Sequence, residues 1–313
     1  MKPKIKIGIP RALLYHKYGL FWEDFFRRLG CEPVISPLTN KEILSRGTNL
    51  AIDESCLSVK IYLGHVDYLR ERCDFVFVPR MATLRKKEEL CSKFWGLYDV
   101  VNNTFDGISL LTCNIEHQRQ EPREFVKLGM RLGKSPANAL VAYMLAKKAQ
   151  RRKNEHSRKE QETAISKRDQ LRILVISHPY TTYDHFLGQP ITKFLKDNHV
   201  QLLYPDKMDH NHARKRSNAV STDLYWTYHK ELLGAIEEYR DQVDGLLFLN
   251  TFPCGPDALF IDYCLKRYKS PPAVVLTLDE QLGDAGMKTR LESFVDILRM
   301  RGKAVKVGVA CAE

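Results

Sequence analysis

The sequence lacks the short signatures that assign a function most directly. None of its eight cysteines falls in a C-x-x-C pair, which removes zinc-ribbon and thioredoxin-type sites. No G-x-x-x-x-G-K-[ST] occurs, and no G-x-G-x-x-G follows a strand, so ATP and dinucleotide binding by the standard loops is unsupported. No apolar run approaches the roughly 20 residues of a membrane span. The first residues, Met-Lys-Pro-Lys-Ile-Lys-Ile-Gly, go straight into a strand pattern without the apolar stretch of a signal peptide. A cytoplasmic setting with reduced thiols is the expectation. There is no internal sequence repeat.

What is present suffices for two domains of about 150 residues each. The chain has 313 residues, 44% hydrophobic and 28% charged, ordinary for a globular protein. Its net charge of +11 invites a nucleic-acid reading, but the excess is local. Between Lys147 and Arg172 ten Lys/Arg face four Asp/Glu, and 10 − 4 = +6 is more than half the surplus. No aromatics interleave with those charges, so a solvated connector is favoured over a nucleic-acid site. The expected division is an α/β lobe over 1–146, a charged helical connector over 147–170 and a second α/β lobe over 171–313.

Strand and helix patterns alternate in both halves, the rhythm of doubly wound parallel sheets. Lys4–Ile9, Glu32–Ile35, Phe75–Val78 and Phe105–Cys113 read as strands of the first half, with Pro79-Arg80 closing the third. Helical spacing marks Leu20–Leu29, Lys41–Arg46 after an Asn40 cap, Ile61–Leu69, Pro122–Leu132 and Pro136–Ala149. In the second half Leu171–Ser177, Val200–Leu203, Gly245–Leu249 and Ala273–Leu278 read as strands, and Ile191–Leu195, Leu224–Tyr239 and Thr289–Arg301 as helices. A cleft between the two lobes is then the natural site.

Three cysteines recur where a strand ends or a helix starts. Cys56 lies close to the start of the Ile61–Leu69 helix, Cys91 follows a strand and its loop, and Cys254 sits in the Pro/Gly-rich turn Asn250–Asp257. Ligands of open α/β sheets bind at strand carboxyl ends, and helix starts stabilise thiolates and anionic metal clusters. Three thiolates suit a cubane iron–sulfur cluster with one iron open; zinc in a Cys3His site, with His65 or His178 as fourth ligand, competes. A cysteine hydrolase is a weaker reading, because Cys254 has no legible His partner. Asp279, Glu280 and Asp284, followed by Thr289, Arg290 and Glu292, would bind an anion or orient a partner loop; the plainer reading makes Thr289 an N-cap and Glu292 its capping-box mate.

Ile7–Ala12, Phe21-Trp22 with Phe25-Phe26, Glu54–Cys56 with Lys60 and Gly64-His65, Phe77–Arg80, Cys91, Phe252–Asp257 and Gly286–Phe294 form an ordered set. As a set they resemble the acyl-CoA dehydratase activase-related family, kin to the subunits of 2-hydroxyacyl-CoA dehydratase and benzoyl-CoA reductase. The resemblance implies two flavodoxin-like lobes with a [4Fe-4S] cluster held between them by Cys56, Cys91 and Cys254. It implies low-potential electron transfer from a separate ATP-dependent, actin-like activase, or reductive activation of a small substrate such as an acyl-CoA, in anaerobic metabolism. Cys73, Cys113 and Cys264 match no ligand position and are expected in the core. Lys60, His178 and Tyr180 are candidate substrate or potential-tuning contacts on a shared rim. The chain departs from the family pattern at Ser92, where Pro is usual, and at Gln281, where His is usual. A dimer is among the expected assemblies, and a metal-free small-molecule-binding or scaffold protein is the alternative.

Overall fold

The computed structural model describes residues 3–310 except 84, 86, 167–169 and 282–283, and only the backbone of 284–285 and 302–310. Cys311, the carboxylate of Asp284 and the end of the 147–170 connector therefore lie outside the described residues. The chain is a mixed α/β protein with parallel sheets, and it divides into two compact units. One unit runs to His156 and includes Asp223–His229; the other holds Ser157–Thr222 and the chain from Lys230 on.

The first unit begins with β1 (Lys6–Ile9), α1 (Tyr15–Arg28), β2 (Glu32–Ile35), α2 (Lys41–Leu50), α3 (Leu57–Leu69), β3 (Phe75–Phe77) and β4 (Arg80–Met81). It continues through α4 (Lys93–Thr104), β5 (Leu110–Leu111), β6 (Asn114–Ile115), α5 (Glu121–Arg131) and the start of α6 (Pro136–Ser166). Its main sheet is parallel in the order β2-β1-β3-β5. The α1 aromatics fill the core as their spacing predicts. Phe21 and Phe25 pack edge-on against Phe125 at centroid distances of 4.8 and 5.0 Å, and Phe26 packs against Phe77 at 5.2 Å. Asn40 caps α2, accepting the Ile43 N–H at 2.9 Å.

One strand expectation holds and one is corrected. β3 ends at Phe77, ahead of Pro79-Arg80, as expected, yet the hydrogen bonds run on past it into β4: the N–H groups of Val78, Arg80 and Ala82 bond in turn to the carbonyls of Leu111, Cys113 and Ile115. The donors on that edge are alternate residues, so the missing N–H of Pro79 falls on the other side and no bond of this ladder is lost. The strand expected over Phe105–Cys113 shrinks to Leu110–Leu111, because Phe105 terminates α4 and Gly107 turns the chain at φ 69°.

The second unit takes the end of α6, then β7 (Leu171–Ile176), α7 (Pro179–Thr182), α8 (Gly188–Asp197), β8 (Val200–Leu203) and α9 (His210–Asn218). There follow most of α10 (Thr227–Tyr239), then β9 (Gly245–Thr251), α11 (Gly255–Arg267), β10 (Ala273–Leu278) and α12 (Asp284–Ala310). The parallel order β8-β7-β9-β10 repeats the order of the first sheet, with the first and third strands central. Every residue of β9 is buried, as its unbroken apolar run predicts. Leu291, Phe294, Val295 and Leu298 of α12 are buried too, as expected. Yet α12 starts at Asp284, so Thr289 and Glu292 lie inside the helix and form no capping box at its start. The 284–288 stretch, Asp-Ala-Gly-Met-Lys, carries a helix-weakening glycine at Gly286, so its pattern did not announce that extra turn.

Helices α2 and α3 touch backbone to backbone. A Cβ on Gly47 would lie 1.8 Å from the Lys60 carbonyl oxygen, and one on Gly64 would lie 2.0 Å from the Ile43 carbonyl oxygen. Neither carbonyl can yield without breaking its own helix, so this contact fixes the axis of α3. We expect Gly64→Ala to destabilise the protein by about 3 kcal/mol in urea unfolding. Gly96→Ala on α4, where a Cβ meets nothing within 4 Å, should instead stabilise by about 0.5–1 kcal/mol. Equal effects at the two positions would refute this account of the contact.

Candidate functional site

All three singled-out cysteines stand at helix starts. Cys56 is the N-cap of α3, with extended backbone at φ −63°, ψ 149°. Its carbonyl accepts the N–H groups of Val59 and Lys60, while its side chain makes no capping bond. Cys91 lies one residue ahead of Ser92, the N-cap of α4, and its carbonyl accepts the Phe94 N–H at 2.9 Å. Cys254 is the N-cap of α11, directly after the cis Phe252–Pro253 peptide, and its carbonyl accepts the Ala258 N–H at 3.0 Å. Each thiol is half-buried. Cys56 and Cys91 belong to the first unit and Cys254 to the second.

The other described cysteines differ. Cys31, Cys113 and Cys264 are buried, and desolvation pushes each thiol up, that of Cys264 to about 12. The core expectation for Cys113 and Cys264 therefore holds. Cys73 departs from it. It is half-buried, and its thiol is pushed up to about 11, first by desolvation and then by the neighbouring Asp74 carboxylate.

Local packing explains how the two first-unit cysteines are held. Eleven of the thirteen α3 residues are buried, Lys60 and His65 among them, so Lys60 is an interior residue rather than a helix-surface one. Helix α4 is tied down by Arg80, which pairs with Asp99 and stacks over Tyr98 at 4.6 Å. The Leu90 N–H, just before Cys91, bonds to the Ala82 carbonyl at 2.8 Å.

In the second unit the loop leaving β7 meets the first turn of α11. His178 Nε2 lies 2.8 Å from Asp257 Oδ1, both residues being buried. Tyr180 stacks on the His178 ring at 4.9 Å with planes 17° apart. Two of the three contacts proposed from sequence, His178 and Tyr180, are thus neighbours, whereas Lys60 is in the other unit. Sequence reading assigned no role to Asp257. Its only signal was an acidic residue in a helix's first turn, which the helix dipole alone explains. Ser177, His178, Asn250 and Asp257 line a small pocket otherwise walled by apolar residues, including Ile176 and Phe248. The buried Ser177 hydroxyl has no hydrogen-bond partner among the described residues, so Ser177, His178 and Asp257 do not form a nucleophilic triad.

Parallel sheets with helices starting beyond their strand ends define the class: a mixed α/β protein. Residues 6–208, well over half the chain, match the family model described as CoA enzyme activase uncharacterised domain (DUF2229). The chain belongs to that family. The match includes Cys56 and Cys91 and ends ahead of Cys254. A search of curated proteins found no match. Among solved structures, a chain described as the crystal structure of ZnuA is similar at TM-score 0.28 and 11% identity, over 94% of this chain and 99% of that one. Such a likeness carries no argument about fold or function. Among the described residues no helix is long and apolar enough to cross a membrane.

The interior of α3 sets a pH limit. His65 is 0% exposed, and its Nε2 lies 3.0 Å from Thr39 Oγ1. Desolvation, then the nearby His16 and Arg11, lowers its pKa from 6.5 to about 3. The folded state therefore keeps this imidazole neutral where the unfolded chain would protonate it. The resulting stability is complete above about pH 6.5 and is lost as pH falls toward 3. Between pH 7 and 5 we expect His65 to remove about 2 kcal/mol of stability. In urea titrations the gap between the wild type and His65→Asn should narrow by that amount on acidification; a gap independent of pH would contradict the assignment.

Proposed function

We propose that the chain is an iron–sulfur protein whose Cys56, Cys91 and Cys254 ligate a [4Fe-4S] cluster, and that it serves low-potential electron transfer or reductive activation of a small molecule. The observation that carries this reading is the shared placement of three half-buried thiols at three helix starts, while Cys31, Cys113 and Cys264 are buried with raised pKa values. That donor set fits the cluster: it consists of thiols, each near backbone N–H groups and a positive helix end that stabilise thiolate. The bound cluster would supply one electron at a time at low potential.

The protein's own residues would hold and tune it. Lys60, four residues along α3 from Cys56 and hence on the same helix face, would bring positive charge toward the Cys56 sulfur. The His178–Asp257 pair ties the first turn of α11, with Cys254 at its head, to the loop after β7. His178 and Tyr180 would contact substrate or hydrogen-bond to sulfur. Each unit's parallel strand order supports reading it as a flavodoxin-like lobe. The family description ties the chain to activases of CoA enzymes. Kinship with 2-hydroxyacyl-CoA dehydratase and benzoyl-CoA reductase subunits, an acyl-CoA substrate and a separate ATP-dependent activase as electron donor are our extension of it.

The alternative is a metal-free small-molecule-binding or scaffold protein with the same fold; the pocket at Ser177, Asn250 and Asp257 is only water-sized and supplies no ligand site for it. Anaerobic purification separates the two. The cluster reading expects iron and sulfide each near four per chain, with a broad brown absorbance that Cys254→Ala abolishes. Protein that stays colourless after anaerobic reconstitution would sink it and leave the metal-free alternative.

A further inference from the structure

Helix α6 is apolar on two sides. Its inward line is Ala139, Ala142 and Ala146, all buried. Their small size allows close approach: a Cβ on Gly129 of α5 would lie 2.5 Å from that of Ala139. Its other side exposes Leu140 at 42%, Val141 at 55%, Met144 at 60% and Leu145 at 42%. A helix apolar all round is ordinarily covered all round. At 100° per residue, Lys148, Arg151 and Arg152, also exposed, continue the same stripe before Glu155 ends it. One face of α6 thus reads apolar for two turns and basic for the next two, over about 20 Å.

We propose that this stripe is a docking surface for an amphipathic helix of another protein, one whose apolar turns are followed by carboxylates. The charge order selects that occupant. An antiparallel second copy centred on the apolar quartet would set Lys148, Arg151 and Arg152 opposite residues 133–137 of its mate, which include no carboxylate, and a parallel one would stack base on base. Neither arrangement supplies the counter-charge that the basic turns select. A flat anionic bilayer prefers bases flanking an apolar face along its whole length, not following it. A partner helix with acidic residues after its apolar turns satisfies both parts of the stripe at once. The surface lies wholly within the first unit, so the proposal stands apart from the cluster assignment.

Fluorescence anisotropy with the full chain tests it. The probe is a labelled amphipathic peptide with leucines over two turns and glutamates over the adjoining turn. We expect saturable binding that weakens about tenfold in Met144→Glu and in the double variant Arg151→Glu/Arg152→Glu, and that falls with added salt. A probe with lysines in place of the glutamates should bind at least about tenfold more weakly. The substituted side chains are exposed, and circular dichroism checks that each variant remains folded. Absence of saturable binding, or binding indifferent to these substitutions, overturns the proposal. So does concentration-dependent dimerisation abolished by Met144→Glu, or co-sedimentation with phosphatidylserine vesicles that exceeds peptide binding.

Discussion

A buried parallel strand leaves the chain little choice at its carboxyl end. The backbone must at once begin another hydrogen-bonded element or leave polar groups unpaired in the interior. In both units the strand order puts the first and third strands at the centre, and their outgoing connections leave toward opposite edges of the sheet. The ends of those central strands are therefore where loops part and helix starts stay accessible. In the second unit β7 and β9 are the central pair. Their exits carry His178 and Cys254, and the His178–Asp257 bond links the two connections. In the first unit the exit of β1 is braced by Arg11, which donates from Nε to the Ser36 carbonyl at 3.0 Å and from its backbone N–H to the Ser36 hydroxyl at 2.8 Å. Two residues on, Leu13 is held at φ 50°, a strained conformation for a bulky residue that its burial in the core offsets.

Much of this could be read from the amino acids because it depends on neighbours in sequence. The α1 aromatics, the Asn40 cap, the continuous apolar run of β9 and the inward face of α12 are each decided within a few residues. The same holds for Cys254, where a turn rich in Pro and Gly ahead of a periodic stretch marks the boundary. What escaped is non-local. Whether Pro79 breaks a ladder depends on which edge its missing N–H faces, and only the partner strands decide that. Asp257 meets a histidine 79 positions away. Gly47 and Gly64 look like ordinary helix-weakening glycines until their neighbours are seen to be carbonyl oxygens. Lys60 was expected on a rim shared with His178 and Tyr180; the density of apolar residues around it on α3 was the legible sign of its burial.

The cysteines divide by what surrounds the sulfur rather than by motif. A thiol deep among apolar groups resists ionisation, as the raised values of Cys113 and Cys264 express, and is inert as a ligand or nucleophile. A thiol at the head of a helix meets the positive end of the dipole and can approach metal or substrate while half-exposed. Cys73 falls between these groups. It is as open as the three at helix starts, but it sits beside Asp74 and heads no helix, and its thiol is correspondingly pushed up. Exposure alone therefore does not single out the candidate ligands; exposure together with a helix start does.

The two units hold their helix starts by different means. Cys56 heads a helix whose axis is set by backbone contact at two glycines, with the neutral His65 sealed inside, so rotating α3 would drive Cα atoms into carbonyl oxygens or bring a histidine to water. Cys254 heads a helix whose first turn meets the loop after β7 through an imidazole–carboxylate bond, with Phe260, Ile261 and Cys264 buried further along. A steric lock of the first kind resists small displacements steeply, because close-packed interiors have no space to yield. A single hydrogen bond contributes about 1 kcal/mol and gives way gradually as it lengthens. Backbone contact therefore fixes the axis of α3, whereas the imidazole–carboxylate bond fixes how the first turn of α11 meets the loop after β7.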